Sequence, residues 1–399
     1  MIRWESRLNI ESNSLDINFI DKLLYGGYID NKMKDNWISN LDNNNTLFAE
    51  ISNLISYKRK YKDNIFTISI KDRNLGRISF KDDLFGIALL GNYHYQDDTL
   101  IFDKTNFRLD RFQQISVGYT KSLMIQKKRI RVSTNISYLK GIHHLNIYSK
   151  RTSFYTSKNG TINYLNYDLK AFSTTNEGLN HFEDYFKNNG NGVSFDFSLK
   201  IENKNKQYTM YISDLGFIQW NESALKYNTD TSFSFSGIEV ENVLDFNDSI
   251  IELESEKYID AVSINAKNGK IKSYIPANFG VNIESKIKNS FLNKYIVGFN
   301  IKWQPYEDDR NISFDKILQG FYESGYSPYF YFRVYANTKY ALLIPKISIG
   351  GYTQKLNFGI ISQFGDKNPV RIGTQHLESI FKGKESNSLS VYLQIDMKF

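Results

Sequence analysis

VYLQIDMKF, residues 391–399, alternates from end to end. Val391, Leu393, Ile395, Met397 and Phe399 are apolar, and Tyr392, Gln394, Asp396 and Lys398 fill the places between. Side chains on an extended chain point to opposite faces in turn, so this is a strand with one apolar and one wettable face. Whether the apolar face meets a protein core or lipid is decided by the strands that come before it.

Those strands are many and long. Phe66, Ile68 and Ile70 alternate in one ladder, Ile115, Val117 and Tyr119 in another, and Ile130, Val132, Thr134, Ile136 and Tyr138 in a third. Val193, Phe195, Phe197, Leu199 and Ile201 form a fourth, and similar runs recur to the end of the chain. KIENKNKQYTMYISDLG (200–216) reads as two strands around a short turn, while about 150–190, 221–270 and 304–326 read as long connections. Ladders of about ten residues exceed the five or six of an ordinary strand. They match the roughly 9–11 residues that cross a bilayer at a tilt. Short turns on one side and long loops on the other are the pattern of a transmembrane β-barrel. A soluble β-sandwich or solenoid would show the same local alternation and is the rival fold.

Composition agrees with strands. Aromatic residues make up 15% of the 399, with 28 Tyr and 29 Phe against 5 Pro, and aromatic rings suit a pleated, half-buried surface. Mean hydropathy is −0.45, and no apolar run approaches the ~18 residues of a membrane helix. A barrel escapes that exclusion because alternate residues face a polar bore. Tyr138, Trp220 and Trp303 stand near ladder ends, where barrels carry interfacial aromatic girdles. The chain has no Cys, which removes disulfides, thiolate metal sites and Cys nucleophiles. The net charge of +7 is scattered over KRKYK (58–62), KSLMIQKKRIR (121–131) and KNGKIK (267–272). No nucleic-acid motif accompanies these runs, so they read as loop and rim charge.

Helical signals are few: 15–27, 81–92 and 246–262. No repeat or linker divides residues 1–399, so one domain is expected, with residues 1–44 as an N-terminal strand or plug segment. MIRWESRLNIES lacks the apolar core of a signal peptide; Ile2, Trp4, Leu8 and Ile10 alternate as in a strand. If the chain is exported, its signal has been removed.

Two stretches carry a resemblance. The ladder closing on Phe399 is similar to the C-terminal signal that the barrel-assembly machinery reads in bacterial outer-membrane proteins. Val391, Leu393, Ile395, Met397 and Phe399 would be that signal. NNGNGVSFDFSLKI (188–201) with YTMYISDLGFIQW (208–220) resembles the middle of a poorly characterised Bacteroidota outer-membrane family. That family is itself similar to the long-chain fatty-acid transporter barrels. Ser213, Asp214, Leu215, Gly216, Ile218 and Trp220 match its Ser-Asp-Leu-Gly-x-Ile-x-Trp stretch. Segments 119–142, 231–244 and 274–285 resemble other parts in order, so the likeness covers roughly 45–399. Members usually begin with an Asn-Pro-Ala-like segment packed in the lumen, and this N-terminus has none. The resemblance implies an all-β fold, a single antiparallel transmembrane β-barrel of about 14 strands, its lumen partly plugged by N-terminal or loop segments.

Chemistry is sparse. His143 and His144 are adjacent, so on a regular strand they point apart and cannot share a metal. No metalloprotease, phosphate-loop, dinucleotide or nucleophile-elbow motif occurs. The His pair reads as rim or loop imidazoles, and Asp214 and Glu239 as a turn acceptor and a solvated charge. No catalytic residue, metal or cofactor is expected, and no enzyme activity. Ser213, Asp214 and Gly216 read as a strand bulge, with Gly216 supplying an unusual backbone angle. In fatty-acid-type barrels a strand kink opens the wall, so these three are also the candidate gate.

The expected protein is therefore an outer-membrane barrel for passive transport of small hydrophobic molecules. The alternative is a non-transporting subunit or scaffold of a secretion or barrel-assembly complex. Its partners would be outer-membrane lipid, the assembly machinery during biogenesis and other envelope proteins in a stable complex, but not nucleic acid. Residues 366–388 are expected to form an outward loop.

Overall fold

Trp4 lies opposite Ile55, Ile55 opposite Ile70, Ile70 opposite Ile115, Ile115 opposite Tyr138, and Tyr138 opposite Val193. On the other side of Trp4 the row continues to Ile395. In the computed structural model, which describes residues 1–126, 128–174, 187–235, 266–287, 291–308 and 314–399, this row belongs to a sheet that closes on itself.

The first strands are β1 (Ile2–Ser12), β2 (Asn45–Tyr61), β3 (Asn64–Phe80), β4 (Asp98–Ile101), β5 (Asn106–Ile125) and β6 (Lys128–Thr156). β7 (Asn163–Ser173), β8 (Gly190–Asn203), β9 (Lys206–Trp220), β10 (Leu225–Phe235), β11 (Ala266–Asn268) and β12 (Ile271–Tyr274) follow. The last are β13 (Ala277–Lys286), β14 (Leu292–Trp303), β15 (Ser327–Asn337), β16 (Leu342–Gly351), β17 (Leu356–Phe364), β18 (Val370–Thr374) and β19 (Ser388–Met397). The wall runs β1-β2-β3-β5-β6-β8-β9-β13-β14-β15-β16-β17-β18-β19 and back to β1, a closed antiparallel barrel of 14 strands. Among the described residues every wall strand pairs with a neighbour on each side, so the sheet has no open edge strand.

Alternation explains the two faces. Val391, Phe66, Ile68, Ile136, Ile283 and Phe332 all point outward and stay exposed, as do their counterparts around the wall. Glu5, Ser52, Arg73, Gln114, Ser194 and Gln394 point inward and are buried. Arg3 and Asp396, directly opposite across the β1–β19 seam, make a two-pronged pair at 2.7 and 3.3 Å.

One end carries short turns, from Tyr61 to Asn64, Ile125 to Lys128, Asn203 to Lys206, Lys286 to Leu292, Asn337 to Leu342 and Phe364 to Val370. Lys62, Gln126 and Lys204 adopt φ of 52°, 47° and 48° there, the left-handed backbone that tight hairpins require. The basic runs 58–62 and 121–131 sit at these turns. The long connections share the opposite end. There β6 continues past Gly141, where β8 leaves it, and pairs with β7 and β4; β10 and β11 extend this upper sheet.

Several expectations change. Residues 366–388 are not one outward loop, because β18 lies inside them and pairs with β17 and β19. Residues 15–27 and 81–92 do form helices, Ile17–Tyr25 and Asp82–Leu90. Asp16 caps the first through the Phe19 N–H at 2.8 Å. The candidate helix 246–262 lies outside the described residues. β1 is a strand of the wall. A helix not foreseen, Phe314–Glu323, follows β14.

Candidate functional site

Two bulges decide what faces the bore. On β6, Arg111 of β5 pairs with His143 but Phe112 pairs with Gly141, so Ile142 is an extra residue. Below it Ser137 and Leu139 are buried; above it the parity changes and His144 and Asn146 are buried. On β9, Phe195 of β8 pairs with Leu215 and Phe197 with Ile212, so Ser213 and Asp214 together oppose Asp196. Asp214 takes φ 58°, and its N–H donates to Asp196 Oδ1 at 2.7 Å.

Asp214 thereby enters the bore and accepts from Arg73 Nη1 at 2.9 Å. Arg73 also reaches Glu50 at 3.3 Å. These groups line a chamber of about 370 Å³ together with Arg7, Glu11, Lys71, Lys302, Arg333 and Lys346. Tyr211, Tyr326, Tyr329 and Tyr331 supply its rings. His376, on the connection before β19, joins Glu11 at 2.9 Å and Glu378 at 3.0 Å. Burial opposes a charge on His376, but those two carboxylates outweigh it and raise its pKa above 6.5.

Lys302 divides the bore. Its ammonium sits 4.9 Å from the Phe48 ring, 4.8 Å from Tyr326 and 4.6 Å from Tyr352, a cation among aromatic faces. Phe48 and Tyr352 stack at 4.0 Å, and Tyr326 meets Tyr352 edge-on at 4.9 Å. Toward the long connections a second cavity of about 710 Å³ shares Lys302 and Tyr326 with the chamber. Phe80, Ile301, Tyr306, Phe321 and Pro328 line it beside Asp103, Lys104 and Glu323.

Beside this cavity a buried network fastens the segment after β14 to the wall. Asp308 lies 2.8 Å from His144 Nε2 and 3.2 Å from Arg108 Nη1, and accepts from Asn146 Nδ2 at 2.7 Å. Asp110 holds the other imidazole nitrogen at 2.8 Å and Arg108 Nε at 2.7 Å. Burial pushes the Asp308 carboxyl up, but Arg108 and His144 outweigh it and hold it below the usual carboxylate range. Arg77 likewise donates to Gln304 at 2.9 Å and to the Ser324 carbonyl at 3.2 Å.

The expected bulge at Ser213 and Asp214 is present, but Gly216 serves it differently. The left-handed residue is Asp214; Gly216 permits close approach, since a Cβ there would stand 2.3 Å from the Val193 carbonyl oxygen. Opposite this point the β9 ladder to β12 and β13 is interrupted at Ile275 and Pro276, although both strands keep one register. Val391, Leu393, Ile395 and Met397 occupy the outer face, and Phe399 is exposed beyond β19. Tyr392, Gln394 and Asp396 face inward, while Lys398 lies past the strand and donates to the Asp366 carbonyl.

Other readings are corrected. His144 is not a rim imidazole but a fully buried one stacked on Trp220 at 5.1 Å. Trp220 is 0% exposed, inside the bore, and donates to Ser273 Oγ. Trp303 is 7% exposed beneath the helix Phe314–Glu323, donating to the Ile317 carbonyl at 2.8 Å. Neither belongs to a girdle; Tyr138, 42% exposed, does face outward. Glu239 lies outside the described residues. Among the described residues no group of three His, Asp or Glu is placed to hold a metal ion.

A family of unknown function, DUF5723, matches residues 6–398, and the chain belongs to it. Nothing matches among curated protein sequences. The structure is similar to the Pseudomonas putida toluene transporter TodX at 8% identity and a TM-score of 0.41, covering 99% of this chain and 87% of that one. It is also similar to a mutant porin of Rh. blastica at 8% identity and a TM-score of 0.26, covering 100% and 99%.

Proposed function

We propose that this DUF5723 barrel spans the bacterial outer membrane and passively admits small amphiphilic solutes through its bore. Its short turns would face the periplasm and its long connections the outside, the usual arrangement of such barrels. The continuous outward row of apolar residues supports the membrane setting, since hydrocarbon accepts apolar side chains and a closed ladder that satisfies its own backbone.

The observation that carries transport is the pair of cavities in line, which share Lys302 and Tyr326. A solute entering from the long-connection end would meet a mixed lining of rings and a few charged groups first and a mostly charged lining second. A purely hydrophobic cargo, the expectation from the sequence, suits the outer cavity but would have to strip water from Arg73, Arg333 and Lys346 in the chamber. An apolar body bearing one polar group satisfies both compartments. The reading involves no chemical step.

Proteoliposome swelling with a small neutral sugar tests it. Swelling above that of empty liposomes is expected, and a faster rate in Lys302→Ala, which opens the partition. Liposomes that stay osmotically tight with both proteins would sink the proposal.

One observation favours the non-transporting subunit instead. The segment 304–308 is tied into the bore by Asp308 and Gln304, and Trp220, in a buried cluster with Phe112, Leu139 and Ile218, stacks on the His144 that holds Asp308. Under that reading the barrel stays tight and purifies at fixed stoichiometry with envelope proteins.

A further inference from the structure

We infer that the chamber is a binding site for a small aromatic carboxylate, with Arg333 and Lys346 facing the carboxylate and tyrosine rings facing the aromatic body. The inference deepens the passage reading and rests on it only for how the ligand arrives.

Charge in the chamber is segregated. The carboxylates Glu11, Glu50 and Asp214 stand on β1, β2 and β9, and each is already paired: the first with His376, the other two with a shared Arg73. Lys302, Arg333 and Lys346 stand on the neighbouring strands β14, β15 and β16. Among the described residues no carboxylate lies within ion-pair distance of these three. Lys346 is only 9% exposed, and its bonds go to neutral groups, Tyr329 Oη at 2.6 Å and Gln375 Oε1 at 2.7 Å. Arg333 lies 5.4 Å over the Tyr331 ring.

Lys346 is buried and Lys302 and Arg333 are half-buried, and among the described residues none of them is in direct contact with a carboxylate; an anion entering between them would supply that contact. The three carboxylates across the chamber disfavour a second negative charge on the ligand. A guanidinium fork also pairs naturally with a carboxylate. A single carboxylate therefore fits better than a dianionic phosphate.

The aromatic body follows from the rings. Tyr211 lies over Gly280 and Tyr331 over Gly298, directly across their ladders, where a Cβ would stand 2.4 and 2.2 Å from the rings. The glycines let both rings lie flat against the wall and leave a flat slot. At about 370 Å³ the chamber is near the small end of ligand pockets, so it takes one compact molecule.

Calorimetric titration of the purified barrel in detergent tests this with benzoate, benzyl alcohol and inorganic phosphate. Benzoate is expected to bind at least tenfold more tightly than either. In Arg333→Gln/Lys346→Gln the preference over benzyl alcohol should vanish. Should that variant not fold, as read by a heat-modifiable gel shift, wild-type affinity for benzoate must fall with rising NaCl while that for benzyl alcohol does not. No measurable benzoate binding, equal affinities, a preference that survives the double variant or is indifferent to salt, or phosphate binding more tightly than benzoate overturns the inference. Sugar swelling on the same preparation separates the two readings. Benzoate preference without swelling overturns passage alone, and swelling without benzoate preference overturns the carboxylate site alone.

Discussion

His144 Nε2 and Asp308 Oδ2 meet at 2.8 Å, and this contact joins the wall of the barrel to the segment that follows β14. Removing one member of a buried charged pair strands the other, at a cost of about 3–5 kcal/mol. Asp308→Ala should therefore loosen residues 304–326, while the wall, held by its own ladder, keeps its form. Limited proteolysis should cut near Lys316 much faster in the variant, with the gel shift of the folded barrel unchanged. Equal protection in both proteins would show that the network does not hold the segment.

Asp214 combines a left-handed backbone with an ion pair, and two substitutions separate these roles. Asp214→Gly keeps the backbone but leaves Arg73 with Glu50 alone; Asp214→Val loses the pair and also strains the bulge by about 1–3 kcal/mol. Urea unfolding in detergent should rank wild type above the glycine variant, and that above valine. Equal midpoints for glycine and valine would mean that the φ of 58° stores no cost.

The connection before β19 should respond to pH through His376. A His whose pKa is raised by folding stabilises fully below its unfolded value of 6.5, and the effect is lost as pH rises through the raised value. Burial pushes the Glu378 carboxyl up, but His376 and hydrogen bonds outweigh it and lower its pKa below 4.5. Its contribution is present above 4.5 and fades as pH falls through the lowered value. Stability from this pair is thus greatest between those unfolded values and declines on the alkaline side. The thermal midpoint of wild type should fall from about pH 6 to 9, and His376→Gln should flatten that slope. Parallel slopes would remove His376 from the account.

Gly298 gives Tyr331 its place against the wall. Gly298→Ala should push the ring into the chamber and slow sugar swelling, at a stability cost of no more than about 1–3 kcal/mol of overpacking. An unchanged rate would mean that the chamber is not on the route.

Ile70 stands in the middle of the outward row, between Ile55 and Ile115. Ile70→Arg should cost about 2–4 kcal/mol in a lipid bilayer if this level is the membrane midplane. A loss near zero in liposome unfolding would place the bilayer elsewhere.

The wall was readable because strand alternation has a period of two and an apolar outer face repeats it on strand after strand. The even face of β19, with Gln394 and Asp396, was legible for the same reason. The bulge at Ser213 and Asp214 was legible as turn chemistry inside a strand. The bulge at Ile142 was not, since nothing in YLKGIHHLN marks an extra residue, and with it went the inward direction of His144. Trp220 and Trp303 misled because sequence places a residue along a strand but cannot say which loop covers it. The chamber was illegible for a related reason: Asp214, Arg73 and Lys346 are far apart in the chain and meet only when the cylinder closes.

β6 runs on from Gly141 to Thr156 after β8 has left it, some 50 Å of strand at roughly 3.3 Å per residue. β5 follows it as far as Tyr148, and beyond that point β6 stands above the wall with β7, β4, β10 and β11. Anything that approaches the bore from this end passes beside that sheet before it reaches Lys302 and the chamber.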